Sequence, residues 1–261
     1  MPPALRRARI LERIQRDGGV SIADLARDLT VSSITVHRDL EHLSKEGLVE
    51  RVHGGARAVA GGQSSTAIPP TGWEQRTSQA GSGKVAIAAH AVRAIRSGST
   101  IFLDSSSTCL AVARALAASP ATELTLVTNS PAIAYELVDE RILVIVPPGE
   151  LDQHMRLLAG RWTTDFLSGL NFELAFCSSA GLTLESGLTT SRRALADVIN
   201  VARANAERTI GLIDSTKFGR SSLLTIAQAQ DLDAIVTDAG LDESTVREYR
   251  AAGVKLEIAT T

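Results

Sequence analysis

The chain has 261 residues, 44% of them hydrophobic and 21% charged, with a formal net charge of −2 at neutral pH. That length holds one large domain or two. No apolar run is long enough to span a membrane and no N-terminal signal pattern is legible, so a cytoplasmic protein with no membrane partner is expected. The two cysteines, Cys109 and Cys177, stand far apart with no C-x-x-C spacing, which excludes a disulfide framework and a zinc ribbon.

Residues 5–14 carry apolar side chains at Leu5, Ile10, Leu11 and Ile14 with arginines around them, an amphipathic helix. Ser21-Ile22-Ala23-Asp24 reads as a capping box with Asp in place of Glu, opening a second helix through Leu29. Thr30-Val31-Ser32 is a short turn. Ser32 then caps a third helix and is also expected at the DNA-binding face. Ile34, Leu40 and Leu43 sit at helical spacing and are expected to face a small core. Ser33, Thr35, His37 and Arg38 are left near the helix start, where base edges and phosphates lie when such a helix enters a major groove. Gly47 stops this helix. Residues 48–52 alternate like a strand, and His53-Gly54-Gly55-Ala56 turns the chain back toward Arg57. Three helices and a hairpin make a winged helix-turn-helix. Arg51, His53 and Arg57 flank the Gly-Gly turn and are expected to approach the DNA backbone or the minor groove.

Charge supports this only weakly. Residues 1–60 hold ten Lys and Arg against eight Asp and Glu, and the rest hold seventeen against twenty-one. The helix pattern, not the charge, carries the inference.

Residues 60–66 have linker composition, and Pro69-Pro70-Thr71-Gly72 stiffens the next stretch of chain. The expected organisation is a DNA-binding domain at 1–59, a linker at 60–79 and an α/β domain at 80–261. From Lys84 helix and strand alternate: strands at 100–103, 124–127, 142–146, 172–177, 209–213 and 234–236, with helices near 84–95, 109–118, 131–138, 191–205 and 242–252. This order predicts an open, mostly parallel α/β sheet.

Ligands of such sheets lie beyond the carboxyl ends of the strands. Those ends are followed by Asp104-Ser105-Ser106-Ser107-Thr108, Thr128-Asn129-Ser130, Ser178-Ser179-Ala180-Gly181 and Asp214-Ser215-Thr216-Lys217. Two of these loops open helices whose N-termini attract anions. Each loop alone is also an ordinary helix cap. Together with Lys217 they point to a small phosphorylated polyol. Asp104 is expected to accept from hydroxyls, Ser106, Ser107 and Thr108 to donate to phosphate, Thr128, Asn129 and Ser130 to hold the opposite side, and Ser178, Ser179 and Gly181 to close it.

Two motifs resemble the DeoR family of bacterial transcriptional regulators, whose pattern runs V-S-x-x-T-I-R-R-D-L and then G-L-x-x-R-x-H-G-G-A. The chain has Thr35-Val36-His37-Arg38-Asp39-Leu40 and Gly47-Leu48-Val49-Glu50-Arg51-Val52-His53-Gly54-Gly55-Ala56. His37 stands where the family has the first of two arginines. Residues 84–238 resemble the family's effector domain, whose fold is like that of ribose-5-phosphate isomerase. The matching pieces are Lys84-Val85-Ala86-Ile87-Ala88, Leu103-Asp104 with Ser107-Thr108, Thr128-Asn129-Ser130, Ala175-Phe176 with Gly181, Asp214-Ser215-Thr216-Lys217-Phe218-Gly219 and Val236-Thr237-Asp238. The resemblance implies a repressor of carbohydrate-metabolism genes that binds an operator and responds to a sugar phosphate or related metabolite. A single winged domain binds weakly, so a dimer or tetramer assembled through residues 80–261 is expected. No H-x-E or H-x-x-x-H pairing points to a metal, and no cofactor is expected. Ser106 and Ser178 replace expected glycines, Ala180 an acidic or amide residue, and the 191–195 segment lacks an expected glutamate and lysine.

The alternative is a sugar-phosphate isomerase with a DNA-binding domain appended. Aldose–ketose isomerisation needs a carboxylate base, and Ser178, Ser179 and Ala180 occupy the loop where the isomerase fold places acidic residues. Gly81-Ser82-Gly83-Lys84 is a poor phosphate loop, since Ser78 replaces the first glycine and no strand precedes it.

Overall fold

A computed structural model of the chain describes residues 6, 7, 9–11, 13, 14, 19–45, 49–52, 54–58 and 73–260. The chain divides into two compact units, Met1–Ser65 and Thr66–Thr261.

In the first unit, helix α1 comprises described residues 6, 7, 9–11, 13 and 14. Strand β1 (Gly19–Ser21) leads into α2 (Ile22–Leu29), followed by α3 (Ser33–Lys45), β2 (Val49–Val52) and β3 (Gly55–Ala58). Ser21 caps α2 by accepting from Asp24 N at 3.1 Å, and Thr30 ends it in the left-handed region at φ 53°. β1 was not legible in the sequence. It pairs antiparallel with β3, which also pairs with β2, so the wing has three strands. Two glycines permit this. Gly54 turns the chain at φ +80°, and a Cβ at Gly55 would collide with the Val20 carbonyl.

The small core is Ile10, Ile14, Ile22, Leu25, Val36, Leu40, Leu43, Val49 and Ala56. The expectation that Ile34 joins it is overturned: Ile34 is 66% exposed and Val36 is fully buried. Val36, Leu40 and Leu43 form the i, i+4, i+7 stripe that meets α1 and α2. Ile34 is two residues out of phase with it.

The second unit begins earlier than expected. Helix α4 (Trp73–Ser78) lies inside the predicted linker, and Trp73 is buried in the main core. Next come α5 (Gly81–Ala91), a 3-10 turn at Val92–Ala94, β4 (Thr100–Leu103), α6 (Ser107–Leu116), β5 (Leu124–Thr128), α7 (Pro131–Glu136) and β6 (Ile142–Ile145). The hairpin β7 (Glu150–Asp152) and β8 (Leu157–Ala159) precedes α8 (Arg161–Ser168) and β9 (Phe172–Cys177). Then follow β10 (Gly181–Thr183), β11 (Gly187–Thr190), α9 (Arg193–Ala204), β12 (Ala206–Leu212), β13 (Leu224–Ala227), β14 (Ala234–Asp238), α10 (Glu243–Ala251) and β15 (Leu256–Ala259).

Seven strands pair in the order β15-β14-β12-β9-β4-β5-β6, every pair parallel. Alternate side chains feed two cores on opposite faces. Ile101, Leu103, Leu174, Phe176, Ile210 and Leu212 face α5 and α6, while Phe102, Ala175, Cys177 and Ile235 face α9. An antiparallel sheet, β10-β11-β13, was not anticipated from the sequence. The strand order reverses between β4 and β9. That is the switch point where open parallel sheets leave a crevice.

Candidate functional site

Each unit carries its own set of candidate residues. In the first unit, Ser32 Oγ accepts from Thr35 N at 3.2 Å and lies 2.9 Å from Thr35 Oγ1, so both hydroxyls are tied up in the cap. Ser33, His37 and Arg38 are exposed, and Thr35 is half-buried. Arg51 on β2 is exposed, and its Nη2 is 2.9 Å from His37 Nδ1. A guanidinium only donates, so Nδ1 accepts. The neutral ring then carries its proton on Nε2, a donor suited to a phosphate oxygen or to guanine N7 and O6. Arg57 lies in β3 opposite Glu50 and Gly19; His53 and the Arg57 side chain lie outside the described residues.

Sequence reasoning missed Asp39. It is 3% exposed, and its carboxylate accepts from Arg6 Nε at 2.5 Å and Arg6 Nη2 at 3.3 Å. This pair ties α1 to α3 and so sets the angle at which α3 is presented. The Arg-Asp step in the motif was the available signal.

In the second unit, Asp104 ends β4 and is fully buried. Its Oδ1 accepts from Ser106 N at 2.8 Å and its Oδ2 from Ser178 N at 2.7 Å. The carboxylate therefore laces the β4 and β9 loops together across the switch point. Ser178 Oγ donates to Leu212 O at 2.7 Å and accepts from Lys217 Nζ at 3.0 Å. Asp104, Ser178 and Lys217 thus form one chain of contacts. Asp238 acts likewise between β14 and the β12 loop, accepting from Ser215 N at 2.7 Å and Ser215 Oγ at 2.9 Å.

Several predicted ligands serve the loops themselves. Ser106 caps α6 by accepting from Cys109 N, Ser130 caps α7 by accepting from Ile133 N, and Thr128 Oγ1 accepts from Ser130 N. Ser179 Oγ donates to Gly181 O. The start of α7 is a poor anion site: the helix has six residues, and Pro131 has no N–H to offer. Other groups keep unused capacity. Thr108 Oγ1 and Asn129 Oδ1 are buried with no hydrogen-bond partner, although Asn129 Nδ2 donates to Leu158 O at 3.0 Å. Buried polar atoms of this kind ordinarily have partners.

Two further cations lie outside the predicted effector set. Arg76 of α4 donates from Nη2 to Met155 O at 3.2 Å, sits 5.3 Å over the Trp73 ring, and has a buried Nε without a partner. Lys84 of α5 is 5% exposed and donates to the Arg76 and Gln79 carbonyls. The Gly81–Lys84 segment is therefore a helix start whose lysine braces α4. Burial lowers the Arg76 pKa, opposed by Asp104 and then Asp152. Burial and the nearby Lys217 charge lower Lys84 to about 8. Burial lowers Lys217 as well, opposed by Asp214 and Asp104. The three cations feel one another, so a bound dianion would relieve their repulsion.

Burial pushes the Cys109 thiol up and the Cys177 thiol up to about 12, leaving both inert. No helix among the described residues is long and apolar enough to cross a membrane, and no group of three or more His, Cys, Asp or Glu among them could hold a metal.

Comparison with known proteins agrees with the two-unit description. The model of the DeoR-like helix-turn-helix domain matches residues 6–60, and that of the DeoR C terminal sensor domain matches residues 79–239. The HTH-type transcriptional regulator GlpR of Haloferax volcanii is 35% identical over 97% of each chain. The glycerol-3-phosphate regulon repressor of Escherichia coli is 29% identical over 95% of this chain and 96% of its own. Ribose 5-phosphate isomerase A from Neisseria gonorrhoeae aligns with a TM-score of 0.40 at 14% identity, covering 52% of this chain and 53% of its own. With both domain models matched in order and such a relative along nearly its whole length, the chain belongs to the DeoR family of transcriptional regulators.

Proposed function

We propose that the protein represses carbohydrate-metabolism genes in the cytoplasm, binding an operator through α3 and the wing and releasing it when a phosphorylated sugar occupies the sensor unit. The observation that carries the effector reading is the group of Arg76, Lys84 and Lys217 beside Asp104, with Thr108 Oγ1 and Asn129 Oδ1 left without partners. Lys217 and Arg76 supply charge for the phosphate, and Ser107, Thr108 and Asn129 the hydrogen bonds for it and the polyol. Asp104 is a brace in this reading, since both its oxygens already accept from backbone N–H groups.

A homodimer or tetramer assembled through the sensor unit presents two DNA-binding units, and their joint reach supplies affinity that one unit lacks. The effector acts by favouring one conformation of the assembly over another. No catalytic role is assigned: Ser178 and Ser179 spend their hydroxyls on carbonyls, and Ala180 offers no base. An isomerase assay on ribose 5-phosphate and hexose phosphates tests the competing enzyme reading. Thermal melting of the full chain with the same panel tests the effector reading. Stabilisation by at least one sugar phosphate, which also lowers operator affinity, is expected; no shift with any of them would overturn it.

A further inference from the structure

Ile34 is a large apolar side chain, 66% exposed, in the first turn of the helix that faces DNA. Its i+3 and i+4 neighbours on the same face are His37 and Arg38, both exposed. Arg51 stands over that face through its contact with His37. An isolated apolar group among three nitrogen-rich side chains contributes nothing to the core. The major groove has one apolar group to match it, the C5-methyl of thymine; every other base edge there is a donor or acceptor. Packing Ile34 against a G·C pair would instead desolvate polar atoms without giving them partners.

We infer that Ile34 reads the C5-methyl group of a thymine in the operator, a specificity contact beside the polar contacts of His37 and Arg38. This rests on the placement of α3 in the major groove. A contact between two copies of the chain would also cover Ile34, but it would have to desolvate Arg38 and Arg51 as well, which is costly without acidic partners.

The test uses the full chain and a duplex selected by it from random-sequence DNA. Each thymine is replaced singly by deoxyuridine, which pairs identically but lacks the methyl. Wild-type protein is expected to bind about fourfold more weakly when one particular thymine is replaced, the effect of losing one methyl-sized apolar contact. Ile34→Ala is expected to bind the thymine and deoxyuridine duplexes equally, with an unchanged melting temperature because the site is exposed. Ile34→Val is expected to keep part of the discrimination. Wild-type binding indifferent to deoxyuridine at every position would overturn the inference, as would an Ile34→Ala variant that keeps the full preference. Weaker self-association of Ile34→Ala in analytical ultracentrifugation, with no methyl effect in the wild type, would overturn it in favour of a contact between copies. Arg38→Ala separates the two levels. If it too binds like wild type, α3 is not the DNA face; if it weakens binding while no methyl effect is found, the Ile34 assignment alone fails.

Discussion

Arg51 of the wing strand β2 bonds to His37 of α3, Nη2 to Nδ1, at 2.9 Å. The bond joins two elements that each carry part of the candidate DNA interface, and it uses His37 Nδ1 as the acceptor. His37 is thus a short donor held by an arginine from another element.

His37 and Arg51 should therefore act as a unit. Arg51→Ala, His37→Ala and the double variant are expected to show a coupling of about 1 kcal/mol in operator binding, measured by fluorescence anisotropy. Additive losses would mean that the two side chains contact DNA independently.

Asp39 is buried and paired with Arg6 across two helices. Asp39→Ala removes the carboxylate that holds the Arg6 guanidinium against α3, so it should lower the stability of the first unit. Thermal or urea unfolding of the full chain should show the early transition shifting down while the sensor transition stays put. A first transition that does not move would show that the pair contributes no net stability.

Lys84 provides a pH signature. Its pKa is about 8 in the folded chain against 10.5 ordinarily. Between those values the unfolded chain binds more protons than the folded one, so the contribution of Lys84 to stability rises with pH across that window. Below about pH 8 the full cost of burying the charge is present, and above about pH 10.5 it is gone. Lys84→Met should remove this increment from the stability-versus-pH curve, although it leaves the Arg76 and Gln79 carbonyls without their donor. Parallel curves for the variant and the wild type from pH 8 to 10.5 would contradict the assignment.

Lys217 and Arg76 should report on the effector and not on DNA. At a hundredfold excess over Kd a ligand stabilises the folded state by about 2.7 kcal/mol. Lys217→Ala and Arg76→Met are expected to lose most of that stabilisation with a sugar phosphate that shifts the wild type. Operator affinity without effector should be unchanged. An undiminished shift in Lys217→Ala would place the phosphate elsewhere.

The two cysteines should resist a thiol reagent at pH 8 until the chain unfolds, since both are fully buried and their thiolates are disfavoured. Rapid labelling of the native protein would contradict the buried placement.

Features that depend on neighbouring residues are legible in the chain without its fold. Ser21 and Ser32 mark helix starts because a cap is a bond three residues long. The central parallel strands stand out as short apolar runs bounded by polar loops, and the family follows from two ungapped motifs. Features that depend on residues far apart in the chain arise only when it folds. Val36 rather than Ile34 turns inward because the docking of α1 and α2 selects the phase of α3, which local periodicity leaves open. The Asp104 tie exists because β4 and β9 become neighbours across a gap of some seventy residues. Arg76 could not be read from a segment with linker composition, because its role arises only when Trp73 is buried in a core assembled from the rest of the sensor unit. Loop residues that look alike in sequence then divide into caps and unpartnered polar groups according to which backbone groups the fold brings within reach.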